Sequence, residues 1–549
     1  MKHSRCHRQQ FGLLGKLLLY VEAVMKRPLS ALLFSLVLYG VAFSGDITIH
    51  SSQLGECWGV GASTSPANGF EKFYGISGDV YNNAKQDSIM DFLFLNSGSN
   101  CGFSNIRHQI LCYHTDSTAG KKRWQHTHEP DNDNWNWGAD SCQMWFISEA
   151  KERHENLFLH TCPWSPPAWM KTNNSEENGG YVREGMEEEL AEYFVVFLNK
   201  YRNDYGLTFK ALSIQNEPNF GPGYQSCKYE PSDFDRVVPV IKAMMIDSGL
   251  SDVMLGAPNN GETKESYEMY SEMDSTTKDL LDWIPTNDYS YFVDSTDLTV
   301  FGKPVMMTEI QYKNSKMGTQ DQVAAKFVKR FNRGENGMNY WRYVKSADSD
   351  DSSLREGLIG VNGNGTIIIS KMCAYLGVLS RAMQNGNTLL STTNDLAEVN
   401  TCASMSPTGE MRLVVAGYGA SNYANQTVAG FNPYDTILVL RSTWDENEKI
   451  AELAEKIADE DGTFTADFPA HSITAFMAKS SDSGSVGTIS RRQSVRFGSA
   501  VDASGHGNSR LYDIRGRALS GTGRTIVKGG KASGVAVQPA SGKKILTTK

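Results

Sequence analysis

Between residues 57 and 345, short apolar stretches alternate with longer segments of helical periodicity, and this alternation constrains the fold more than any other feature. Segments 187–204 and 321–331 place apolar residues at helical spacing. Eight stretches read as strands: 58–64, 104–110, 156–164, 210–215, 252–258, 288–292, 304–310 and 338–344. Eight βα units predict an α/β fold, a (β/α)8 TIM barrel over 58–365, although the interval 292–304 is too short for an ordinary helix.

A second domain follows the barrel. After about residue 385 the sequence changes to strand-like runs separated by turns, as in MRLVVAGYG, DTILVLRS and ITAFMA. We expect residues 366–480 to hold the last barrel helix and a β-sandwich side domain, completed by an N-terminal strand in 45–57. The charged segment 445–462 resembles a surface helix inserted into this domain.

The two ends of the chain differ from its body. Residues 1–44 combine Lys26 and Arg27 with an apolar run of signal-peptide length, and Met25 is an alternative start. A membrane anchor is the rival interpretation, but the run is short for a stable membrane span. Residues 481–549 form a basic Ser/Gly-rich linker, ending either in a small module for attachment or secretion-machinery contact or in a disordered tail. These features predict a secreted or cell-surface protein.

Charge and cysteine content exclude several classes of function. The whole chain has a net charge of −9, and because both ends are basic, residues 46–480 carry −23. Such a body repels phosphate, so we expect no nucleic-acid partner and a neutral or weakly charged substrate. Eight cysteines follow residue 44, compatible with disulfides of unknown pairing. Neither they nor the histidines have metal-site spacing, so we predict no metal or cofactor.

Candidate functional residues lie at the carboxyl ends of the predicted strands, where barrel enzymes place their chemistry. These residues are Arg107, Trp164, Asn216, Glu217, Tyr289, Glu309 and Trp341. Glu217 and Glu309 each follow an apolar run, in ALSIQNEP and PVMMTEI. One such Glu could equally be structural, but two at the fourth and seventh strand ends favour catalysis.

Paired carboxylates are the groups that glycoside hydrolysis requires. One must be protonated to assist the leaving oxygen, and the other must be ionised to attack the anomeric carbon. Asn216 could bind a sugar 2-hydroxyl, and Arg107 could keep Glu309 ionised, although Arg107 could also belong to a purely structural ion pair.

Aromatic side chains could provide faces on which sugar rings stack. Trp164 and Trp341 stand at strand ends, and Trp135 and Trp137 lie among polar residues in DNDNWNWGAD. We expect all four to contact substrate, with buried packing as the alternative.

Four motifs resemble one family. The motifs PWSPPAWMKTN, SIQNEPNF, YQSC and KPVMMTEIQY are similar to those of glycoside hydrolase family 30, in its xylanase and β-1,6-glycanase branch, and the similarity extends over about residues 50–480. The resemblance implies a barrel with an attached β-sandwich, Glu217 as acid/base and Glu309 as nucleophile. Family members often carry a His near the sixth strand end, where this chain has Asn287 and Tyr289.

The predicted function is that of a secreted, retaining, endo-xylanase-like glycoside hydrolase acting on a cell-wall polysaccharide, with xylan as the first choice. The Asp-rich stretch at 347–355 argues against recognition of glucuronate side groups and leaves a β-1,6-galactan or β-1,6-glucan as the alternative. A glucosylceramidase-like enzyme is less favoured, because no obvious apolar surface for lipid is present. A non-catalytic carbohydrate-binding protein and a surface scaffold working through 481–549 are the non-enzymatic alternatives.

Overall fold

The computed structural model describes residues 47–65, 83–111, 135, 137–289, 297–312, 319–346, 356–361, 366–444 and 449–480. The predicted signal peptide at 1–44, the Asp-rich stretch at 347–355 and the C-terminal segment 481–549 lie outside these residues. Everything that follows concerns the described part of the chain.

Eight parallel strands form the barrel, and their order around it follows the chain. They are β2 (Gly59–Ser63), β3 (Asn105–Ile110), β4 (Phe158–Pro163), β5 (Ala211–Ser213), β6 (Met254–Gly256), β7 (Ile284–Asn287), β8 (Val305–Ile310) and β9 (Gly337–Tyr340). A parallel bridge between Gly256 and Trp283 joins β6 to the start of β7 and closes the ring. The predicted (β/α)8 barrel is confirmed.

Helices surround this sheet. They are α1 (Asn83–Phe94), α2 (Ser141–Arg153), α3 (Glu187–Tyr205), α4 (Pro231–Asp247), α5 (Thr263–Glu272), α6 (Ser275–Leu280), α7 (Gln320–Phe331) and α8 (Lys371–Ala382). In the interval that is too short for an ordinary helix, a 3-10 turn occupies Leu298–Phe301. Because helices cover the outside and side chains fill the inside, strands such as β3, β4 and β8 are buried at every position, which explains their continuous apolar pattern.

Three further short strands follow the barrel's last strand. They are β10 (Arg342–Ser346), β11 (Gly357–Val361) and β12 (Ile367–Ile369), and they form a separate small sheet. The predicted strand 338–344 therefore divides into β9 and β10, with Trp341 at the break.

The side domain is a nine-stranded, mostly antiparallel sheet. Its strands are β1 (Ile47–Glu56), β13 (Thr388–Asn394), β14 (Val399–Met405), β15 (Met411–Gly417), β16 (Tyr423–Ala429), β17 (Thr436–Thr443), β18 (Ala451–Ile457), β19 (Thr463–Phe468) and β20 (Ser472–Ala478). The ring centroids of Phe464 in β19 and Phe476 in β20 lie 5.1 Å apart. Because β19 and β20 are six positions apart in the sheet order, the sheet folds over onto itself, as a sandwich does.

Two predicted elements are wrong. The sixth barrel strand spans Ile284–Asn287 and ends before Asp288, because β7 pairs with β8 through Ile284, Pro285 and Thr286, while residues 290–292 of the predicted strand lie outside the described residues. The helix-like segment 445–462 contains the edge strand β18, which pairs antiparallel with β17. Its many charged side chains suit a solvent-facing edge, where they discourage pairing with other chains.

The cysteines and the helices carry two further findings. The seven described cysteines after residue 44 are all free and buried, so no disulfide forms among them. None of the helices in the described residues has the length and apolarity needed to cross a membrane.

Arg330 in α7 is fully buried between two buried carboxylates, Asp288 and Glu335, and lies 2.5 Å from the latter. Replacing Arg330 by Met removes the cation that compensates both charges. We therefore expect the free energy of unfolding to fall by about 3–5 kcal/mol, measured by urea denaturation. The matched control is Lys329→Met, at the neighbouring exposed position, which should change stability by less than about 0.5 kcal/mol. Equal stability of the two variants would contradict the prediction.

Candidate active site

Glu217 and Glu309 reach the same end of the barrel from opposite sides. Glu309 is the fifth residue of β8 and is 5% exposed. Glu217 follows β5 and has a left-handed backbone with φ of 46°. Its amide donates to the Asn259 carbonyl at 3.0 Å, and its own carbonyl accepts from the Phe220 amide at 3.0 Å. A strained backbone that the surroundings hold in this way is typical of functional positions.

Arg107 connects the two strand ends. This fully buried side chain on β3 donates from Nη1 to Oε2 of Glu309 at 2.5 Å and from Nη2 to Oδ1 of Asn216 at 2.6 Å. Burial lowers the pKa of the guanidinium, but the charges and hydrogen bonds of Glu309 and Cys162 together outweigh burial, and the pKa is raised overall. Arg107 is therefore a permanent positive charge in direct contact with the carboxylate of Glu309.

Tyr289 approaches the other oxygen of Glu309. Its hydroxyl donates to Oε1, and its backbone amide donates to the Gly261 carbonyl at 3.0 Å. Burial and the adjacent charge of Glu309 raise the pKa of the Tyr289 phenol well above its usual range. The phenol thus stays protonated and can act as a hydrogen-bond donor to the carboxylate.

Asn287, the last residue of β7, stands on the Glu217 side. Its amide nitrogen lies 3.3 Å from Oδ1 of Asn216 and 3.4 Å from Oε1 of Glu217. The two carboxylates therefore differ in their surroundings: a guanidinium and a phenol contact Glu309, whereas a neutral amide contacts Glu217.

Trp164 and Trp341 form an aromatic wall next to Arg107. Their ring centroids are 5.8 Å apart, and the Arg107 guanidinium lies 4.6 Å from the centre of the Trp164 ring. Arg342 lies 4.8 Å from the centre of the Trp341 ring and also pairs with Glu356 at 3.2 Å. Burial lowers the pKa of Arg342.

Trp135 and Trp137 pack elsewhere. Their rings stack on one another at 4.8 Å, and Trp135 stacks on Tyr193 of α3 at 5.7 Å. Lys200, two turns further along α3, lies 5.5 Å from the Trp137 ring. The pair thus packs against α3, and its contact with substrate stays a prediction, whereas the other seven predicted site residues come together at the strand ends.

Two aromatic residues near Glu217 were not singled out from the sequence. Phe220 and Tyr224 are large side chains that remain 52% and 50% exposed. Burial and the charges of Glu217 and Glu309 raise the pKa of the Tyr224 phenol, which indicates that it lies near both carboxylates. The signal was the segment QNEPNFGPGYQSC itself, which places both rings within seven residues of Glu217.

We expect Tyr289→Phe to lower kcat by about 10–100-fold, because it removes a hydrogen bond to a charged group without changing shape. Thermal stability should change little. The measurement is steady-state kinetics on a glycan substrate beside a melting curve. Tyr434→Phe, at an exposed position in the side domain, is the control. An unchanged kcat would show that the phenol does not assist Glu309.

The described residues contain no cluster of three or more His, Cys, Asp or Glu side chains that could hold a metal ion.

Comparison with known proteins agrees with this geometry. The model of the glycosyl hydrolase family 30 TIM-barrel domain matches residues 82–231, a range that includes Arg107, Asn216 and Glu217. The fold is similar to that of the catalytic domain of the GH30 xylanase C from Talaromyces cellulolyticus, with a TM-score of 0.65 and 17% identity. That similarity covers 79% of this chain and all of the other.

Curated relatives extend the match along the chain. Endo-1,6-beta-D-glucanase BGN16.3 from Trichoderma harzianum is 25% identical over 362 residues, which are 58% of this chain and 71% of the relative. Endo-1,6-beta-D-glucanase neg1 from Aspergillus fumigatus is 30% identical over 24% of this chain and 30% of its own length. Lysosomal acid glucosylceramidase from Mus musculus is 37% identical over 12% of this chain and 13% of its own length. The last two alignments span less than a third of those relatives. Residues 82–231 thus match the barrel domain of glycoside hydrolase family 30, and these relatives extend the resemblance to that family further along the chain.

Proposed function

We propose that this glycoside hydrolase cleaves β-glycosidic bonds with retention of configuration, with Glu217 as acid/base and Glu309 as nucleophile. The observation that carries the proposal is the unequal environment of the two groups. The guanidinium of Arg107 and the phenol of Tyr289 donate to the two oxygens of Glu309, and the neutral amide of Asn287 contacts Glu217. Two carboxyl groups in such different surroundings can take different roles, one as acid and one as nucleophile.

The first step forms a glycosyl-enzyme. A carboxylate oxygen of Glu309 attacks the anomeric carbon, the bond from that carbon to the glycosidic oxygen breaks, and Glu217 gives its proton to the leaving oxygen. In the second step Glu217 takes a proton from water while the water oxygen attacks the same carbon and displaces Glu309. Two inversions leave the anomeric configuration unchanged, and Glu217 is protonated again.

The neighbouring side chains have defined tasks in these steps. Arg107 and Tyr289 each hold one oxygen of Glu309. When one of these oxygens forms the covalent bond to the sugar, only its own hydrogen bond has to weaken. Asn216, positioned by Arg107, faces the reacting sugar and is suited to hold its 2-hydroxyl, a contact that strengthens in the transition state. Trp164 and Trp341 offer ring faces to the same sugar.

The proposed substrate is a β-1,6-linked glucan outside the cell, the polymer named in the two curated glucanase relatives. The surroundings of Arg342 are consistent with a neutral glycan, because Glu356 already compensates its charge. Xylan, the first choice from the sequence, remains the second candidate because of the motifs PWSPPAWMKTN and SIQNEPNF. Export of the protein, which the N-terminal segment predicts, would place it with such a polymer.

The experiment is to incubate the purified chain with β-1,6-glucan, β-1,6-galactan and xylan and to follow the products by NMR. We expect β-1,6-glucan to be cleaved fastest and the first-formed reducing end to be the β-anomer. Preferred cleavage of xylan would replace the substrate proposal, and an α-anomer would contradict the retaining mechanism.

A further inference from the structure

A third carboxylate borders the position of Glu217. Glu265 lies in the first turn of α5, on the segment that follows β6, and is half-buried. The side-chain amide of Asn219, two residues after Glu217, lies 3.1 Å from Oε2 of Glu265. The loop that carries Glu217 is thus connected directly to Glu265.

The space between the two carboxylates is kept open by a glycine. A Cβ built on Gly261 would lie 3.6 Å from Oε2 of Glu265 and 3.9 Å from Oε1 of Glu217. Both oxygens therefore line the same small opening. A branched side chain at 261 would enter this opening, although the backbone there does not require glycine.

An exposed aromatic ring adjoins the same loop. Phe220 follows Asn219 and is 52% exposed. Its amide bonds the Glu217 carbonyl at 3.0 Å, so its position is fixed relative to that residue. Phe220 therefore offers an apolar ring surface next to Asn219, in the loop that carries Glu217.

The chain distributes these groups unequally around the reacting centre. Arg107, Tyr289 and Trp164 gather around Glu309. Glu265 and Phe220 gather around Glu217. Since Glu217 protonates the departing oxygen in the proposed mechanism, its own side of the cleft is where the departing sugar lies.

We infer that Glu265, Asn219 and Phe220 form a subsite for the leaving sugar, and that this subsite selects an uncharged sugar. The inference rests on the proposed function. The carboxylate of Glu265 accepts hydrogen bonds from sugar hydroxyls, and Phe220 provides an apolar surface beside them. The same carboxylate repels a leaving unit that carries an acidic group. In the second step this subsite receives acceptor sugars.

The test compares Glu265→Gln with Glu268→Gln, an exposed glutamate one turn further along α5 that pairs with Lys264. Two substrates share the same glycone, namely the one preferred by the wild-type chain. One has a sugar leaving group and the other a nitrophenyl leaving group, which makes none of the proposed hydroxyl contacts.

For the sugar leaving group we expect Glu265→Gln to lower kcat/KM by about 10–100-fold. Hydrolysis of the nitrophenyl substrate should stay within about twofold of wild type, and sugar acceptors should give less transglycosylation. Glu268→Gln should match the wild type on both substrates. For a substrate whose leaving unit is a uronic acid, Glu265→Gln should lower kcat/KM less than it does for the neutral counterpart.

Two further variants test the rest of the subsite. Phe220→Ala should reproduce the selective loss, whereas Ile246→Ala, at another half-exposed apolar position, should not. Gly261→Val should also lower kcat/KM mainly for the substrate with the sugar leaving group, because the valine side chain fills the opening.

An equal loss on both substrates in Glu265→Gln, or no loss on either, would overturn the inference while leaving the proposed function intact. A wild-type chain that cleaves no glycan would instead overturn the proposed function, so the two failures are distinguishable.

Discussion

Replacing Glu309 by Gln is expected to lower kcat by at least about 10⁴-fold, the scale seen when a covalent nucleophile is removed from a catalytic group that acts as a unit. A neutral amide cannot form the glycosyl-enzyme, whatever the state of Glu217. The measurement is single-turnover and steady-state kinetics on the preferred glycan.

The same change tests the pairing with Arg107. Arg107 is fully buried, and the Gln side chain would leave its charge without a carboxylate partner. We expect the variant to fold but to be less stable by about 3 kcal/mol. A melting curve and a far-UV spectrum therefore accompany the kinetics, so that lost activity is not confused with lost structure.

Azide provides a control that a folding defect cannot imitate. In Glu309→Ala, azide can enter the face that the carboxylate has vacated and should restore turnover with an α-glycosyl azide as product. Two results would contradict the role of Glu309 as the nucleophile. One is activity of Glu309→Gln above about 1% of wild type, and the other is a β-glycosyl azide formed by Glu309→Ala.

The position of the two carboxylates could be predicted because it depends on short-range patterns. Each Glu follows a buried apolar run, and the carboxyl ends of all barrel strands point to one face. Seven predicted residues meet there without any further assumption. Their roles in catalysis stay predictions until the variants are measured.

Local propensity predicts the sixth strand at the wrong position. Pro285 argues against a strand, and the aromatic run DYSYF favours one. Tertiary pairing with β8 decided otherwise. In the same way the Glu and Lys content of 451–457 favours a helix in isolation, but an edge position next to β17 makes those charges acceptable in a strand.

Contacts between separate loops could not be predicted from the sequence alone. Asn287 reaches Asn216 and Glu217 only because β7 and β5 flank β6 in the barrel and end at the same face. Glu265 is one of many glutamates in the chain, and nothing in KESYEMYSE distinguishes it from Glu268. The packing of Trp135 and Trp137 was likewise not evident from the sequence. Polar residues surround both in the chain, yet Trp135 stacks on Tyr193 of α3.

Glu217→Gln should affect the two chemical steps differently, depending on the leaving group. With a sugar leaving group, which needs a proton, we expect kcat/KM to fall by about 10²–10⁴-fold, the usual contribution of general acid–base catalysis. A dinitrophenyl leaving group needs little protonation, so its first step should survive and the glycosyl-enzyme should accumulate. A burst of dinitrophenol followed by slow turnover is the expected trace.

Azide again distinguishes the roles. In Glu217→Gln or Glu217→Ala it should attack the glycosyl-enzyme in place of water and give the β-glycosyl azide, the opposite anomer to that from Glu309→Ala. An equal loss on both leaving groups, without a burst, would contradict the acid/base assignment.

The backbone of Glu217 adds a second expectation that is independent of the chemistry. A left-handed conformation costs a non-glycine residue about 1–2 kcal/mol, and here φ is 46°. Glu217→Gly relieves that cost and adds about 0.5–1 kcal/mol of backbone entropy loss, so the stability should be kept or slightly increased. Glu188→Gly, in the first turn of α3, has no strain to relieve and should be less stable than wild type. A chain that becomes more stable as it loses activity would indicate that the strain at Glu217 is maintained for function, whereas a strong destabilisation by Glu217→Gly would show that the side chain serves the fold.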